Sequence, residues 1–396
     1  MAETLRVLLA GGGTAGHVNP LLATAAELRA HDGADITVLG TAAGLERTLV
    51  PEAGYPLRIV ERVPLPRRPS ADLLRLPGRL SGAVRAAGAA IDESGAQVVV
   101  GFGGYVATPA YLAARRRRVP VVIHEQNARP GLANRLGARW AAVVALTFAS
   151  TPLRAARGRT EVTGLPLRPA VAALVADRAT PEGAAARRAA GAAELGLDPS
   201  LPTLLVTGGS LGAQRLNEAV AGAAAALAGA GAQVLHLTGR GKDTEVRAAV
   251  AAAARDVPEV ADRYHVREYL GAMELAYACA DLVLCRSGAG TVSELAALGL
   301  PAVYVPLPVG NGEQRLNATD VVAAGGGVIV EDSALDATWV AQRVTALLAD
   351  GEELRRRGAA AAAAGPSDGA SHLAALVREA AEAAEAHRAG GGHDRG

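Results

Sequence analysis

The sequence predicts an α/β protein made of two Rossmann-like domains, each with a parallel sheet, facing a common cleft. Three observations predict this. One device occurs twice: an apolar strand runs into a glycine-rich loop that opens a helix, in LRVLLAGGGTAGHVNP near residue 11 and in LPTLLVTGGSLGAQRLN near residue 208. Apolar strand-like runs alternate with helix-like runs over most of the length, which is the pattern of repeated βα units. Runs such as QVVVG and PVVIH are apolar without alternation, as expected of parallel strands buried on both faces.

Taken in order, strands are expected at 5–10, 36–40, 97–101, 120–124 and 142–147, among helical stretches at 20–31, 70–93 and 106–116. They make up a first domain over 1–167. Residues 168–200 are rich in Ala, Arg, Pro and Gly and contain no strand pattern, so the junction is placed there. Strands at 203–207, 233–238, 264–267, 281–285, 302–305 and 327–330 build a second domain over 201–369. A final helix is expected at 370–388 (ASHLAALVREAAEAAEAHR), then a disordered tail over 389–396 in which His393 is not a ligand.

The chain has 396 residues, enough for two separate cores. Its net charge of +1 carries no nucleic-acid signature, so no nucleic-acid partner is expected. Half the residues are apolar but many are Ala, and aromatics are 3%; the Ala and Arg excess reflects a GC-rich genome. Cys279 and Cys285 are the two cysteines. So few point to a reducing compartment, and they lack the His and Cys neighbours of a zinc site. A basic segment followed by an apolar one, as in a signal peptide, is not seen, and the Ala runs are too interrupted by charge to span a bilayer. A cytosolic protein is expected, with a membrane surface still open to it.

Strand, glycine turn and helix N-terminus together make an anion site, because backbone N–H groups point outward and the helix dipole favours negative charge. In the first copy Gly11, Gly13 and Gly16 have dinucleotide-fingerprint spacing. That reading needs a carboxylate at the end of the second strand to hold the ribose, and VLGTAAG has none. His17 and Asn19 are not required by a dinucleotide fold, and Pro20 falls near the first turn of the helix. His17 lies at the loop mouth, where the dipole disfavours imidazolium; it reads as a neutral base, or as a histidine that only bonds its own loop.

Gly103 and Gly104 of GFGGYVATP permit close backbone approach by a ligand, and Tyr105 points either into the cleft or into the core. HEQN (124–127) follows a buried strand, where parallel sheets place ligands. His124 and Glu125 rival His17 as acid–base groups; the alternative is a polar loop with capping roles. In CRSGAGTVSELAALG, Ser287 to Thr291 can offer N–H groups and hydroxyls to an anion, with Glu294 in the first helical turn; the alternative is a capped helix. GNGEQRLNA adds Glu313, Gln314 and Asn317, or is a plain helix start. Basic residues cluster at Arg58, Arg62, Arg67, Arg68, Arg75 and Arg79, and at Arg115 to Arg118. They form solvated faces or suit an anionic membrane surface.

The ordered set GGGTAGHVNP, GFGGYVATP, HEQN, VTGLPLR, VTGGSLGAQRLN, RSGAGTVSE and GNGEQRLNA closely resembles the MurG family of bacterial peptidoglycan glycosyltransferases, of actinobacterial type. The resemblance covers residues 5–385. It implies a GT-B fold and inverting transfer of GlcNAc from UDP-GlcNAc to the MurNAc 4-hydroxyl of undecaprenyl-pyrophosphoryl-MurNAc-pentapeptide (lipid I), giving lipid II and UDP. It implies that the second domain holds UDP-GlcNAc and that the first meets the lipid acceptor, with the protein peripheral on the cytoplasmic face of the membrane. Cell-wall synthesis and division proteins become candidate partners. By resemblance, Thr14, Ala15 and Gly16 lie near the donor sugar and pyrophosphate, and Asn127 contacts the sugar. Arg168 and Ser210 are nucleotide-side contacts, and Leu270 lies beside the uracil. Ala289, Gly290, Thr291, Val292, Ser293 and Glu294 form the helix start over the pyrophosphate, Glu294 reaching the ribose. Gln314 bonds sugar hydroxyls and His17 is the base; Gly103, Gly104 and Tyr105 fall on the acceptor side. Ala15 stands where many members have glycine, with less freedom at positive φ.

No carboxylate pair at metal-ligand spacing stands out, so no metal or cofactor is assigned. Domain closure over the donor is expected to limit hydrolysis. The rival readings are a GT-B enzyme with a soluble acceptor, a UDP-GlcNAc 2-epimerase, and a non-catalytic UDP-GlcNAc-binding protein.

Overall fold

The computed structural model describes residues 4–63, 72–209 and 212–390. Arg67, Arg68, Ser210 and residues 391–396, His393 among them, lie outside the described residues, while 389 and 390 of the expected tail still belong to the last helix. The chain divides into two compact units, Met1–Arg168 with Asp368–Gly396, and Pro169–Ser367.

In the first unit the described strands are β1 Arg6–Ala10, β2 Asp35–Gly40, β3 Leu57–Ile59, β4 Val98–Gly101, β5 Val121–Glu125, β6 Val143–Leu146 and β7 Arg159–Val162. They form one parallel sheet in the order β3-β2-β1-β4-β5-β6-β7. In the second unit they are β8 Thr203–Thr207, β9 Gln233–Leu237, β10 Tyr264–Arg267, β11 Leu282–Cys285, β12 Ala302–Tyr304 and β13 Gly327–Ile329. Their parallel order is β10-β9-β8-β11-β12-β13. Both orders reverse direction beside the strand that feeds a glycine loop: Val7 is in register with Ile36 on one side and Val98 on the other, and Leu204 with Val234 and Leu282. Connections diverge to opposite faces at such a point and leave a crevice outside the carboxyl ends of the strands. The two glycine loops therefore sit where an open α/β sheet binds ligands.

The apolar runs are buried on both faces, as their lack of alternation predicts. Along β1, Leu8 and Ala10 pack with the helices Asp72–Ser94 and Gly104–Arg117, while Val7 and Leu9 pack with the helix Ala15–Asp32. The face of Val7 and Leu9 is completed by the C-terminal helix Gly369–Gly390, whose Leu373, Leu376 and Val377 are buried there. Arg378 pairs with Asp32 of the first helix at 2.9 Å, and Arg159 of β7 with Glu379. The chain thus returns from the second unit to close the core of the first.

Three expectations need correction. The strands β3 (LRI) and β7 (RTEV) were not anticipated: both lie at sheet edges, are short, and carry charge on exposed positions, so they lack the apolar signal of central strands. The segment 168–200, placed as the junction, contains the division between the units only at its start, after Arg168. It forms the helices Pro169–Asp177 and Pro181–Leu195, the latter capped by Thr180 accepting from the Gly183 N–H at 3.1 Å, and both pack on the helix Met273–Cys279 within the second unit. The first helix begins at Ala15 and contains Pro20 instead of starting there.

Candidate functional site

At the switch point of the first unit, β1 is followed by Gly11 and Gly12, and the chain turns through Gly13 at φ 92°. That angle favours glycine. The Gly13 N–H donates to the Glu46 carboxylate at 2.8 Å; Glu46 also accepts from the Thr41 N–H at 2.9 Å and the Thr41 hydroxyl at 2.7 Å. Glu46 is fully buried, and a Cβ at Gly12, Gly40 or Gly44 would collide with it. Burial alone would raise its pKa, but the hydrogen bonds from Gly13 and Thr41 prevail and lower it. The carboxylate missing from VLGTAAG is thus supplied six residues past β2 and turned inward onto the glycine loop. The sequence reading missed Glu46; its signal was the pair Gly40 and Gly44 preceding a lone acidic residue.

Thr14 is the N-cap of the first helix, at φ −126°, yet its hydroxyl does not cap the helix. It meets His17 Nδ1 at 3.0 Å. Ala15 is the first helical residue, and Arg118 is the one described non-glycine residue at positive φ, so alanine meets no conformational penalty at 15. His17 lies in the first helical turn and is half-buried. Its Nε2 lies 3.1 Å from where a Cβ at Gly103 would stand, so glycine there keeps that nitrogen uncovered. Burial lowers the His17 pKa, and Glu46 acts against this. Gly104, at φ 77°, brings the β4 loop against the first glycine loop, 3.0 Å from the Gly12 carbonyl by the same measure. Tyr105 is 42% exposed and lies under the Arg62 guanidinium at 4.5 Å, which removes the core reading for it.

The three acid–base candidates differ in what holds them. His124 is on β5, fully buried, with Nε2 at 3.1 Å from the Gly164 carbonyl, and burial pushes its pKa down to about 4. The Glu125 carboxylate accepts from the Asn127 N–H at 3.0 Å, the Gly131 N–H at 2.9 Å and Asn134 Nδ2 at 2.9 Å. Asn134 is fixed in turn by the Tyr111 hydroxyl at 2.7 Å. Glu125 therefore ties the HEQN loop to the helix Leu132–Gly137. Asn127 is half-buried; its carbonyl accepts from the Thr151 hydroxyl at 3.3 Å. Arg168 is half-buried at the end of the first unit. Several of the basic residues have partners within the unit: Arg58 with Glu93 at 3.2 Å, Arg79 with Glu61 at 2.7 Å, and Arg117 with Asp92 at 2.6 Å.

At the switch point of the second unit, Gly208 and Gly209 (φ 78°) follow β8, and Gly212 and Ala213 lead into the helix Gln214–Gly222, which no side chain caps. A Cβ at Gly208 would strike the Ala213 backbone, so the turn needs glycine for closeness. Neighbouring β11 leads through Arg286, Ser287 and Gly288 into the helix Ala289–Ala297, again with no side-chain cap and no acidic residue in its first turn. Glu294 is therefore in the second turn, not the first, and the capped-helix alternative loses its acidic first turn. Its carboxylate accepts from the buried Tyr277 hydroxyl at 2.9 Å. Among the described residues the buried Ser287 and Ser293 hydroxyls have no hydrogen-bond partner, an arrangement that asks for one. Gly290 and Thr291 are partly exposed, while Ala289 and Val292 are buried. Arg286 pairs with Asp332 at 2.7 Å and donates to the Val305 and Pro306 carbonyls at 3.1 Å, joining the strand ends around the crevice. Gln314 accepts from the Leu307 N–H at 3.0 Å, and Asn317 donates to the Ser287 carbonyl at 3.3 Å, tying GNGEQRLNA to RSGAG. Leu270 is half-buried after β10. No group of three potential metal ligands occurs among the described residues.

A buried network supports this unit's glycine loop. His236 is fully buried between the Tyr264 hydroxyl at 2.8 Å and Asn217 Oδ1 at 3.0 Å, and burial pushes its pKa down to about 3. His124 and His236 are thus neutral when folded but take up protons when unfolded below pH 6.5. Their contribution is whole above that pH and is lost as pH falls towards 4, on the order of 3 kcal/mol or more each. Thermal unfolding should therefore drop steeply between pH 6.5 and 4.5, and less steeply in His236→Gln. A midpoint flat over that window would contradict this.

Sequence and structure comparisons find relatives over nearly the whole chain. The glycosyltransferase family 28 N-terminal domain matches residues 7–146 and its C-terminal domain residues 203–373. A UDP-N-acetylglucosamine–N-acetylmuramyl-(pentapeptide) pyrophosphoryl-undecaprenol N-acetylglucosamine transferase of Nocardioides sp. is 55% identical, over 95% of this chain and 98% of its own. The enzyme of that name from Bifidobacterium longum is 52% identical, over 96% and 98%. The crystal structure of Acinetobacter baumannii MurG superposes with a TM-score of 0.73 at 27% identity, over 95% of this chain and 99% of that one. A Neisseria meningitidis UDP-GlcNAc 2-epimerase, with a TM-score of 0.64 at 14% identity over 95% and 99%, shares the fold alone.

Proposed function

The chain belongs to glycosyltransferase family 28, among its MurG-type N-acetylglucosamine transferases, and we infer that it transfers GlcNAc from UDP-GlcNAc to the MurNAc 4-hydroxyl of lipid I, with inversion, giving lipid II and UDP in peptidoglycan synthesis. The observation that carries this is the near full-length identity to enzymes of that name.

The acceptor hydroxyl oxygen attacks the anomeric carbon as the bond to UDP breaks, and its proton passes to a base. We assign that base to His17. Burial keeps its imidazole neutral near pH 7. Thr14 fixes the Nδ1 side, and glycine at 103 leaves Nε2 uncovered. His124 is sealed inside the sheet and Glu125 already accepts three hydrogen bonds, so both suit a scaffold better. The donor is assigned to the second unit. The leaving pyrophosphate gains charge in the transition state, and the helix starts at Gln214 and Ala289 offer N–H groups and dipoles to it. The unpartnered Ser287 and Ser293 hydroxyls support this placement. Glu294, steadied by Tyr277, is assigned to the ribose, Leu270 to the uracil and Gln314 to the sugar hydroxyls.

A lipid-linked acceptor places the enzyme peripherally on the cytoplasmic face of the membrane. Exposed Ile59 beside Arg58 and Arg62 supports contact with anionic lipid, and cell-wall synthesis or division proteins are proposed partners. No described helix is long and apolar enough to cross a membrane. The test is transfer of radiolabelled GlcNAc from UDP-GlcNAc to a short-chain lipid I analogue. Label in the lipid product is expected; UDP-GlcNAc binding without transfer would move a soluble acceptor, or a binding role, ahead.

A further inference from the structure

The two glycine loops look alike in sequence, yet the first is already occupied. Its Gly13 N–H, one of the donors an anion would use, is engaged by Glu46 at 2.8 Å. Glu46 is fully buried, held by both Thr41 donors, and fitted into a space that exists only because residues 12, 40 and 44 are glycine. A buried carboxylate with this many charge-assisted hydrogen bonds stays ionised. The loop that it braces runs directly into Thr14 and His17.

We propose that Glu46 is the built-in counter-charge of the first glycine loop, a positioning residue that takes the place of a bound phosphate and holds His17 for proton transfer. The proposal rests on His17 being the base. It explains why one device serves two purposes: the second loop has no such internal carboxylate among the described residues, whereas the first is neutralised from within and presents an imidazole instead.

Among the described residues, Thr14 on its own helix and the Gly103 backbone from the β4 loop lie beside the His17 ring. These are neutral. Glu125 is engaged by Asn127, Gly131 and Asn134. Glu46 is the charged group whose field reaches the imidazole and acts against its burial. Transfer of the acceptor proton turns His17 into an imidazolium, and a fixed negative charge nearby stabilises that state.

The test is Glu46→Gln in the full chain, with the His17 pKa read by NMR titration of its ring Cε1–H and with the pH profile of kcat/KM. The His17 pKa is expected to fall, because the charge that raises it is gone. The acid limb of kcat/KM should shift down with it, and kcat should drop about ten-fold at unchanged UDP affinity. A folded Glu46→Gln with the wild-type His17 pKa overturns the proposal. A shifted His17 pKa with an unshifted acid limb upholds the coupling but overturns His17 as the base. Thr41→Val keeps the charge and removes one donor, so it should lose stability without lowering the His17 pKa. If Glu46→Gln does not fold, Glu46→Asp decides: it withdraws the charge by one methylene, so a His17 pKa below that of the wild type supports the proposal and a wild-type value overturns it.

Discussion

His17→Ala is expected to lower kcat/KM for transfer to a lipid I analogue by about 10²–10⁴-fold, the usual worth of a positioned general base. UDP affinity should be unchanged, because the nucleotide is assigned to the second unit and His17 belongs to the first. Few side effects are expected. His17 is half-buried, its side chain meets the Thr14 hydroxyl at 3.0 Å, and alanine suits the first turn of a helix. The contrast is with Glu125→Ala, which strips the acceptor from the Asn127 and Gly131 N–H groups and from Asn134. Each orphaned buried donor costs about 1–3 kcal/mol, so that variant should fail through stability. Steady-state kinetics beside thermal unfolding separates the two. Wild-type rates in His17→Ala would return the role of base to His124 or Glu125.

Removal of the C-terminal helix, by ending the chain at Ser367, is expected to abolish cooperative folding of the first unit. Leu373 and Val377 are fully buried and Leu376 is 2% exposed, all against the sheet face that carries Val7, Leu9 and Val100. Each large apolar side chain contributes about 1.5–3 kcal/mol on burial. The sheet face left bare adds to the loss, which together rivals a typical total stability of about 5–15 kcal/mol. Leu373→Ala is the milder form, at about 2–5 kcal/mol. Calorimetry of the truncated chain should lack the transition of the first unit, and transfer should be lost. UDP binding should persist, since the second unit keeps its own core. Truncation that leaves both transitions intact would mean that the helix only decorates the fold.

Most of the fold was legible because its signals are local. All eleven expected strands appear within a residue or so of their places, most of them because a strand buried on both faces must be apolar throughout. The edge strands β3 and β7 were not legible, because one partner and one covered face suffice to hold them. Residues 168–200 misled for a related reason: Ala, Arg and Gly composition suits a loop and a helix alike, and packing on Met273–Cys279 decides. Of the site, the glycine loops, His17, HEQN and RSGAG could be read from residue type and spacing. Glu46, Asn134 and Tyr277 could not, for each acts on a residue distant in the chain.

By itself, the amino-acid sequence determined the two βα-built domains, the two glycine loops and the family to which the chain belongs. Periodicity, turn chemistry and ordered motifs are properties of neighbouring residues. Tertiary structure alone decided that the last helix closes the core of the first unit, and that Glu46 occupies the first glycine loop. It also decided that His124 and Glu125 are held within the scaffold while His17 remains accessible. These outcomes depend on which distant groups meet when water is excluded. Burial and hydrogen bonding across tens or hundreds of residues set them, and no local pattern records such pairings.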